Sequence, residues 1–240
     1  MSVEVKDWRG ARAIPLTPLE GRYARIEPLD MRRHGADLWE AFGGSAESVS
    51  SHLQHTGLPR FGNRETFFRS FRKANRQTLL DRLVKPFRRG RPRRLYFACI
   101  DRATGRAAGL RCLAHIDYVH GSVESALAAV GGSMLRTPAS TEAFYLTAGL
   151  LFETCGFRRV ESHVAVENAL ARRNVERNGW RFDGVMRQRY VHGGRSADAA
   201  VYTILADEWP PVRDALSAWL DPTNFDAEGR QIRRLEDFRK

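Results

Sequence analysis

The sequence predicts a mixed α/β (α+β) domain with a largely antiparallel central sheet flanked by helices. Two strand-like runs, Leu95 to Asp101 and Ala107 to Ile116, are joined by a tight turn that contains Gly105, which is the pattern of a hairpin. A third run, Val123 to Val130, leads through a polar loop into a helical stretch, Ala143 to Cys155. Hairpins combined with a strand-to-helix connection indicate this fold class.

The segment before these strands has its own order. Gly21 to Pro28 predicts a first strand, and Asp30 is placed to cap a helix from Met31 to Phe42. Gly43 to Gly62 is rich in Ser, Gly and His, so we expect a loop. Arg64 to Leu83 carries apolar residues at helical spacing, which predicts an amphipathic helix with a basic outer face.

The remaining elements alternate between strand and helix. We predict a strand from Arg159 to Val166 and a short helix from Ala169 to Arg177 that is closed by Asn178-Gly179. A hairpin of two strands, Trp180 to Val191 and Ala199 to Leu205, and a last helix, Glu208 to Leu220, complete the domain. We divide the chain into an N-terminal extension (1–18), a single domain (19–220) and a polar C-terminal tail (221–240) that drapes over the surface.

Composition narrows the function classes. A hydrophobic content of 42% supports a real core. No apolar run approaches the ~20 residues that span a bilayer, and Met1 to Asp7 does not resemble a secretory signal, so we expect a cytoplasmic protein without membrane contact. Cys99, Cys112 and Cys155 are odd in number and far apart, which predicts reduced thiols. His52-x-x-His55 lacks further ligands nearby, so we expect a surface loop and no metal.

The positive charge is concentrated in one segment. Arg60 to Arg94 holds thirteen Lys and Arg residues against Glu65 and Asp81, an excess equal to the net charge of +11. Phenylalanines alternate with these basic residues, a pattern typical of RNA binding. Phenylalanines at helical spacing also occur in cores, so both interpretations stay open. An acidic partner of this segment can be RNA, a ribosomal surface or an acidic protein.

The stretch from Leu135 to Ala143 is the candidate anion site. A strand, a tight loop and a helix start offer free backbone N–H groups to an anion. Thr137 or Ser140 can cap the helix, and Glu142 favours its first turn through the helix dipole. The alternative is an ordinary strand-to-helix connection.

Several motifs, in the right order, resemble the GNAT acyltransferase family. Within it they resemble the ribosomal-protein N-acetyltransferases of the RimJ/RimL type. Leu135 to Ala143 resembles the loop that binds the acetyl-CoA pyrophosphate, and Asn168 to Trp180 resembles the second motif. Leu19 to Leu29 resembles the opening strand, and Phe182 to Gln188 with Gly194 to Asp198 resemble later strands.

The resemblance implies acetyl-CoA as co-substrate and a set of binding residues. Arg136 supplies a charge, Asn168 an amide for the pantetheine arm or the substrate, and two arginines meet another phosphate or form a solvated helix face. The predicted cofactor residues are Arg136, Thr137, Ala139, Ser140, Thr141, Asn168, Arg172 and Arg173.

Three positions depart from the family pattern. Leu135 stands where the family has Gln or Arg and cannot bond a phosphate. Pro138 stands at a Gly position and has no N–H to donate. Val175 stands where many members carry a tyrosine that acts as general acid.

Glu124 is the one carboxylate of the run Val123 to Val130 and the candidate general base. The family also works without an essential base, by holding the amine beside the thioester while solvent takes the proton. We therefore expect an acetyl-CoA-dependent N-acetyltransferase that acts on a protein N-terminus or a small-molecule amine by direct attack in a ternary complex. The alternatives are a catalytically weak module that binds acyl-CoA or a partner, and an RNA- or ribosome-associated protein.

A charge-removal variant tests the basic segment. Changing Arg69, Arg72, Lys73 and Arg76 to Gln should leave the chain folded and its acetyl-CoA affinity intact. It should abolish binding to RNA or ribosomes, and the parent's binding should fall steeply with added salt because counterions are released. A parent with no salt-sensitive binding in a filter assay at low ionic strength would show that nucleic acid is not the partner.

Overall fold

The computed structural model describes residues 6–72, 74–75, 94–192 and 194–239. Its centre is an eight-stranded sheet with the order β1-β2-β3-β4-β5-β6-β8-β7. Neighbouring strands are antiparallel except for the parallel pair β5 and β6. The strands are β1 Leu19–Glu20, β2 Ala24–Pro28, β3 Leu95–Asp101, β4 Arg106–Asp117, β5 Ser122–Val130, β6 Arg159–Ala165, β7 Arg181–His192 and β8 Arg195–Leu205.

Helices cover both faces of the sheet, and each face has its own hydrophobic cluster. The described helices are α1 Met31–Ala41, α2 Ala46–His52, α3 Arg64–Phe71, α4 Pro138–Gly149, α5 Ala169–Arg177 and α6 Trp209–Trp219. One cluster packs the sheet against α4 and α6, and the other packs it against α1, α2 and α3. The predicted fold class is confirmed. None of the described helices is long and apolar enough to cross a membrane.

Local signals placed several elements correctly. β3 and α5 have the predicted bounds. Asp30 caps α1 as expected, because its side chain accepts a hydrogen bond from the backbone N–H of Arg32 at 2.9 Å. Of the interleaved phenylalanines that the structure describes, Phe61, Phe67 and Phe71 are buried in the core.

Two predictions for the first third of the chain were wrong. The expected loop from Gly43 to Gly62 contains α2, which is capped by Ser45 and buries Val49. The helix predicted from Arg64 to Leu83 ends at Phe71. Asn75 then adopts a left-handed backbone with φ of 59°. Its side-chain amide bonds both the N–H and the carbonyl of Tyr96 on β3, at 2.9 and 2.6 Å. Lys73 and residues 76–83 of the predicted helix lie outside the described residues.

The tail that follows α6 is packed against the domain at both its ends. Asn224 is buried, and its Nδ2 donates to the carbonyls of Trp219 and Arg233 at 3.0 and 3.2 Å. Leu235 is fully buried, while most residues between 226 and 234 are exposed. The tail therefore contributes to the core besides covering the surface.

Glu142 ties α4 to the start of the sheet. Its buried carboxylate accepts three backbone N–H groups, those of Arg22, Tyr23 and Ala24, at 2.8, 2.6 and 2.6 Å. A Cβ at Gly21 would come within 2.4 Å of the same carboxylate, so the close approach needs glycine. The predicted role of Glu142, a favourable interaction with its own helix dipole, is replaced by a long-range tie.

Removing this carboxylate should be costly for stability. Glu142→Ala leaves three backbone N–H groups without their acceptor, and we expect the free energy of unfolding to fall by about 3 kcal/mol or more. Urea unfolding measures the change. Glu47→Ala, on the exposed face of α2, is the matched control and should stay within about 0.5 kcal/mol of the parent. Equal urea midpoints for Glu142→Ala and the parent would contradict the assigned role.

Candidate active site

The parallel strands β5 and β6 separate after a short contact. Their ladder joins only three residue pairs, of which the last is Glu124 with Glu161. On its other side β5 is paired with β4, where the register shifts so that Ala126 is left as a bulge between Ser125 and Leu127. The main chain of β5 beyond Glu124 thus forms no ladder with β6. The two strands open a fork in the middle of the sheet.

A cleft of ≈ 580 Å³ lies on the α4 side of this fork. Its walls come from β4, β5, the loop before α4, the first turn of α4, α5 and the C-terminal tail. Its described lining contains four arginines and no carboxylate. The arginines are Arg111, Arg136, Arg177 and Arg230. Arg230 is ion-paired with Asp226 and Glu228, so the charge that favours an anionic ligand comes from the other three arginines.

The loop before α4 brings most of the predicted anion site into the cleft. Arg136, Thr137, Ser140 and Thr141 all line it. The predicted side-chain cap of α4 was wrong, because the two hydroxyls turn back to preceding carbonyls. Thr137 Oγ1 donates to Met134 at 3.0 Å, and Ser140 Oγ donates to Thr137 at 2.9 Å. The N-terminus of α4 therefore lies at the cleft without a side-chain cap, and its N–H groups suit an anion.

Four predicted residues lie outside the lining of the cleft. Ala139 is buried behind the loop. Asn168 caps α5 by accepting the N–H of Ala171 at 3.1 Å. Arg172 donates from Nε to the hydroxyl of Tyr202 at 3.2 Å, and Arg173 is likewise absent from the lining.

Another face of α5 meets the cleft. Leu170, Asn174 and Arg177 line it at helical spacing. Arg177 is held by the hydroxyl of Thr141 at 3.2 Å and by the ring of Trp219, whose centroid is 4.7 Å from its Cζ. The sequence analysis did not select Arg177. It chose residues near the beginning of the second motif, and the sequence does not show which face of α5 borders the cleft.

Glu124 lies in a smaller pocket on the opposite face of the sheet. It is 4% exposed. Two histidines flank its carboxylate: His115 Nδ1 is hydrogen-bonded to one oxygen, and His163 Nδ1 lies 3.4 Å from the other. His115 is itself 43% exposed and has a left-handed backbone with φ of 46°. A strained backbone at such a position is common in functional sites.

A second carboxylate beside this pocket, that of Glu161, lies close to two basic side chains. His163 Nε2 lies 3.4 Å from Glu161, and Arg159 Nε is 3.0 Å from the same carboxylate. The hydrogen bond from His163, helped by Arg159, lowers the pKa of Glu161 to about 2. Burial, with the nearby charge of Glu124, raises the pKa of Tyr190, so this phenol keeps its proton at neutral pH.

The two cavities are joined by one strand. Ala128 and Val130 of β5 line the cleft, whereas Glu124, Ala126 and Leu127 of the same strand line the pocket. The fork thus places an arginine-lined cleft on one side of β5 and a buried carboxylate on the other. Among the described residues, no group of three or more His, Cys, Asp and Glu is arranged to hold a metal ion.

Comparison with known proteins agrees with this geometry. No protein-family model and no curated protein matches the chain. A GCN5-related N-acetyltransferase from Brucella melitensis has a similar structure, with a TM-score of 0.86 and 34% identity over 98% of this chain and 99% of that one. A probable GNAT-family acetyltransferase from Chromobacterium violaceum has a TM-score of 0.70 and 26% identity, covering 87% of this chain and 96% of that one.

A more distant structure shares the fold. Mycobacterium smegmatis RimJ in complex with CoA-disulfide has a TM-score of 0.61 and 18% identity over 81% of this chain and 88% of its own. The identity and coverage of the Brucella structure go beyond fold likeness. The chain belongs to the GNAT, or GCN5-related N-acetyltransferase, family.

Proposed function

We propose that this chain is an acetyl-CoA-dependent N-acetyltransferase that transfers an acetyl group to a primary amine by direct attack in a ternary complex. The fork carries the proposal, because it joins a cleft with four arginines to a buried carboxylate. The CoA-disulfide in the M. smegmatis RimJ structure, which shares this fold, supports the choice of ligand.

The cleft suits coenzyme A in charge and in size. The pyrophosphate is anionic, and the uncapped N-terminus of α4 with Arg136 is the natural place for it. Thr137, Ser140 and Thr141 line this place. Ala139 is buried outside the lining and remains a prediction. The unpaired edge of β5 offers main-chain partners to the pantetheine arm. Asn168, Arg172 and Arg173 remain predictions without support from the lining of the cleft.

The reaction needs a proton acceptor on the amine side of the fork. The incoming ammonium gives one proton to Glu124, and the free amine attacks the thioester carbonyl. The new C–N bond forms, the C–S bond breaks, and the departing thiolate takes the second proton of the nitrogen. His115, which contacts both Glu124 and solvent, is placed to pass the first proton outward. Holding amine and thioester together supplies much of the rate.

The module that binds acyl-CoA without turnover is the second candidate. Leu135 faces the cleft at 50% exposure, Pro138 lacks an N–H, and Val175 cannot donate a proton. Such a module binds acetyl-CoA in calorimetric titration yet releases no free thiol with any amine. Thiol release with peptide N-termini and small amines separates the two candidates. A role of the basic segment in binding RNA or ribosomes is compatible with either one.

The cofactor site is tested at the start of α4. Thr137→Pro removes the N–H that is bonded to the Met134 carbonyl at 3.4 Å and so distorts the loop before α4, and Ser140→Asp adds a repelling carboxylate, so each should weaken acetyl-CoA binding at least about tenfold. Calorimetric titration measures the affinity. Ser70→Asp adds the same charge on exposed α3 and should change nothing. If both cleft variants keep the parent's affinity, the cofactor binds elsewhere or not at all.

Glu124→Gln tests the base. The amide cannot accept a proton but keeps the size of the side chain, so kcat should fall by ~10² or more while KM changes little. Steady-state thiol release at saturating acetyl-CoA measures both constants. Glu167→Gln, an exposed carboxylate before α5, should behave like the parent. A drop in kcat of less than about threefold for Glu124→Gln would support solvent as the base.

A further inference from the structure

We propose that Arg111 is the buried counter-charge of the coenzyme A pyrophosphate, binding it from the sheet side of the cleft. The inference rests on the proposed function and names a binding residue that the GNAT motifs in this sequence do not include. It follows from a guanidinium that is buried, lines the cleft and forms no ion pair with a described residue.

Arg111 lies in the middle of the sheet. It sits on β4, is paired with Phe97 on β3 and Ala128 on β5, and is 7% exposed. Its neighbours are apolar or weakly polar: the centroid of the Phe144 ring is 6.0 Å from its Cζ, and burial raises the pKa of the adjacent thiol of Cys99 to about 11, so that thiol is neutral.

This environment is costly for a cation. No Asp or Glu among the described residues forms an ion pair with Arg111, and its Nε is buried without a hydrogen-bond partner. Burial therefore lowers the pKa of Arg111, although the interaction with Cys99 acts to raise that pKa. A guanidinium still keeps its charge in proteins. Burying it costs free energy unless an anion compensates, and an anion can reach Arg111 from the cleft that it lines.

The neighbours of Arg111 show near which end of the cleft its guanidinium lies. Cys99 is paired with Gly109, and Gly109 is paired with Val130, the last residue of β5 before the loop. Phe144 lies in the second turn of α4. The guanidinium therefore lies beneath the beginning of α4, away from Glu124 and the opening of the fork. The nearest anionic part of the ligand is the pyrophosphate at the N-terminus of α4.

The same residue accounts for the two departures in the loop. The side chain of Leu135 has no hydrogen-bond donor, and Pro138 has no backbone N–H. A guanidinium can bond two phosphate oxygens at once, and it does so more strongly in a water-poor site. Arg111 from below and Arg136 from the loop can thus replace the missing donors. Among the described residues no carboxylate compensates the buried charge of Arg111, and in this proposal the cofactor does so on binding.

The test uses Arg111→Met, which replaces the aliphatic stem of the side chain with an apolar one and removes the guanidinium charge. We expect acetyl-CoA affinity to fall at least about thirtyfold. The same factor is expected for acetyl-dephospho-CoA, which keeps the pyrophosphate, while the affinity for S-acetylpantetheine, which lacks it, stays within about twofold. Arg111→Lys keeps the charge without the planar fork and should lie between Arg111→Met and the parent. Arg32→Met, on the exposed side of α1, is the control.

Stability gives a second readout. Since a buried charge without a partner is removed, free Arg111→Met should melt at or above the temperature of the parent, and acetyl-CoA should raise its melting temperature less. The inference is overturned if Arg111→Met keeps the parent's acetyl-CoA affinity, or if it loses S-acetylpantetheine binding to the same degree. A parent that binds no acetyl-CoA refutes the proposed function as well, whereas a parent that binds it beside an equally tight Arg111→Met refutes the inference alone.

Discussion

The separation of β5 from β6 is the constraint on which the site depends. A parallel ladder that continued past Glu124 would use the backbone groups of β5 and close the sheet between the cleft and the pocket. Instead the ladder stops after three pairs, and the bulge at Ala126 shifts the strand's register against β4. One strand then serves two faces of the domain. The backbone groups of β5 beyond Glu124 lose hydrogen bonds to β6, and a ligand bound in the fork can replace those bonds.

Buried charge is divided between the two faces. The cleft is lined by the buried Arg111 and the half-buried Arg177, and the pocket has the buried Glu124 between two histidines. Left-handed backbones occur at Arg136 in the loop and at His115 beside the carboxylate. Such features lower the stability of a free domain, and here they gather where ligands are proposed to bind. The remainder of the sheet, with its two apolar clusters, supports them.

Sequence patterns predicted the elements whose signals are local. β3 is a continuous apolar run that ends at the predicted turn with Gly105, and α5 ends at Asn178-Gly179, so both were placed correctly. The short helix α2 was missed, because its Ser-rich composition resembles a loop. Val49 is buried in the hydrophobic cluster that packs α1, α2 and α3 on the sheet, which the local sequence does not show. In the site, the loop before α4 was found by its motif. Arg111 and Arg177 were not, since their roles depend on the docking of α4 and α5. An arginine inside an apolar strand was the one available signal for Arg111.

The carboxylate of Glu142 links parts of the chain that are 118 to 120 residues apart. The amide protons of Arg22, Tyr23 and Ala24 lose their acceptor whenever the N-terminal half of α4, which carries Glu142, moves away from the sheet. Their exchange with solvent deuterium therefore measures the opening of the helix that borders the arginine-lined cleft. Hydrogen exchange at three amides near the beginning of the domain thus reports on the motion of α4 at the cleft without any label on the cleft itself.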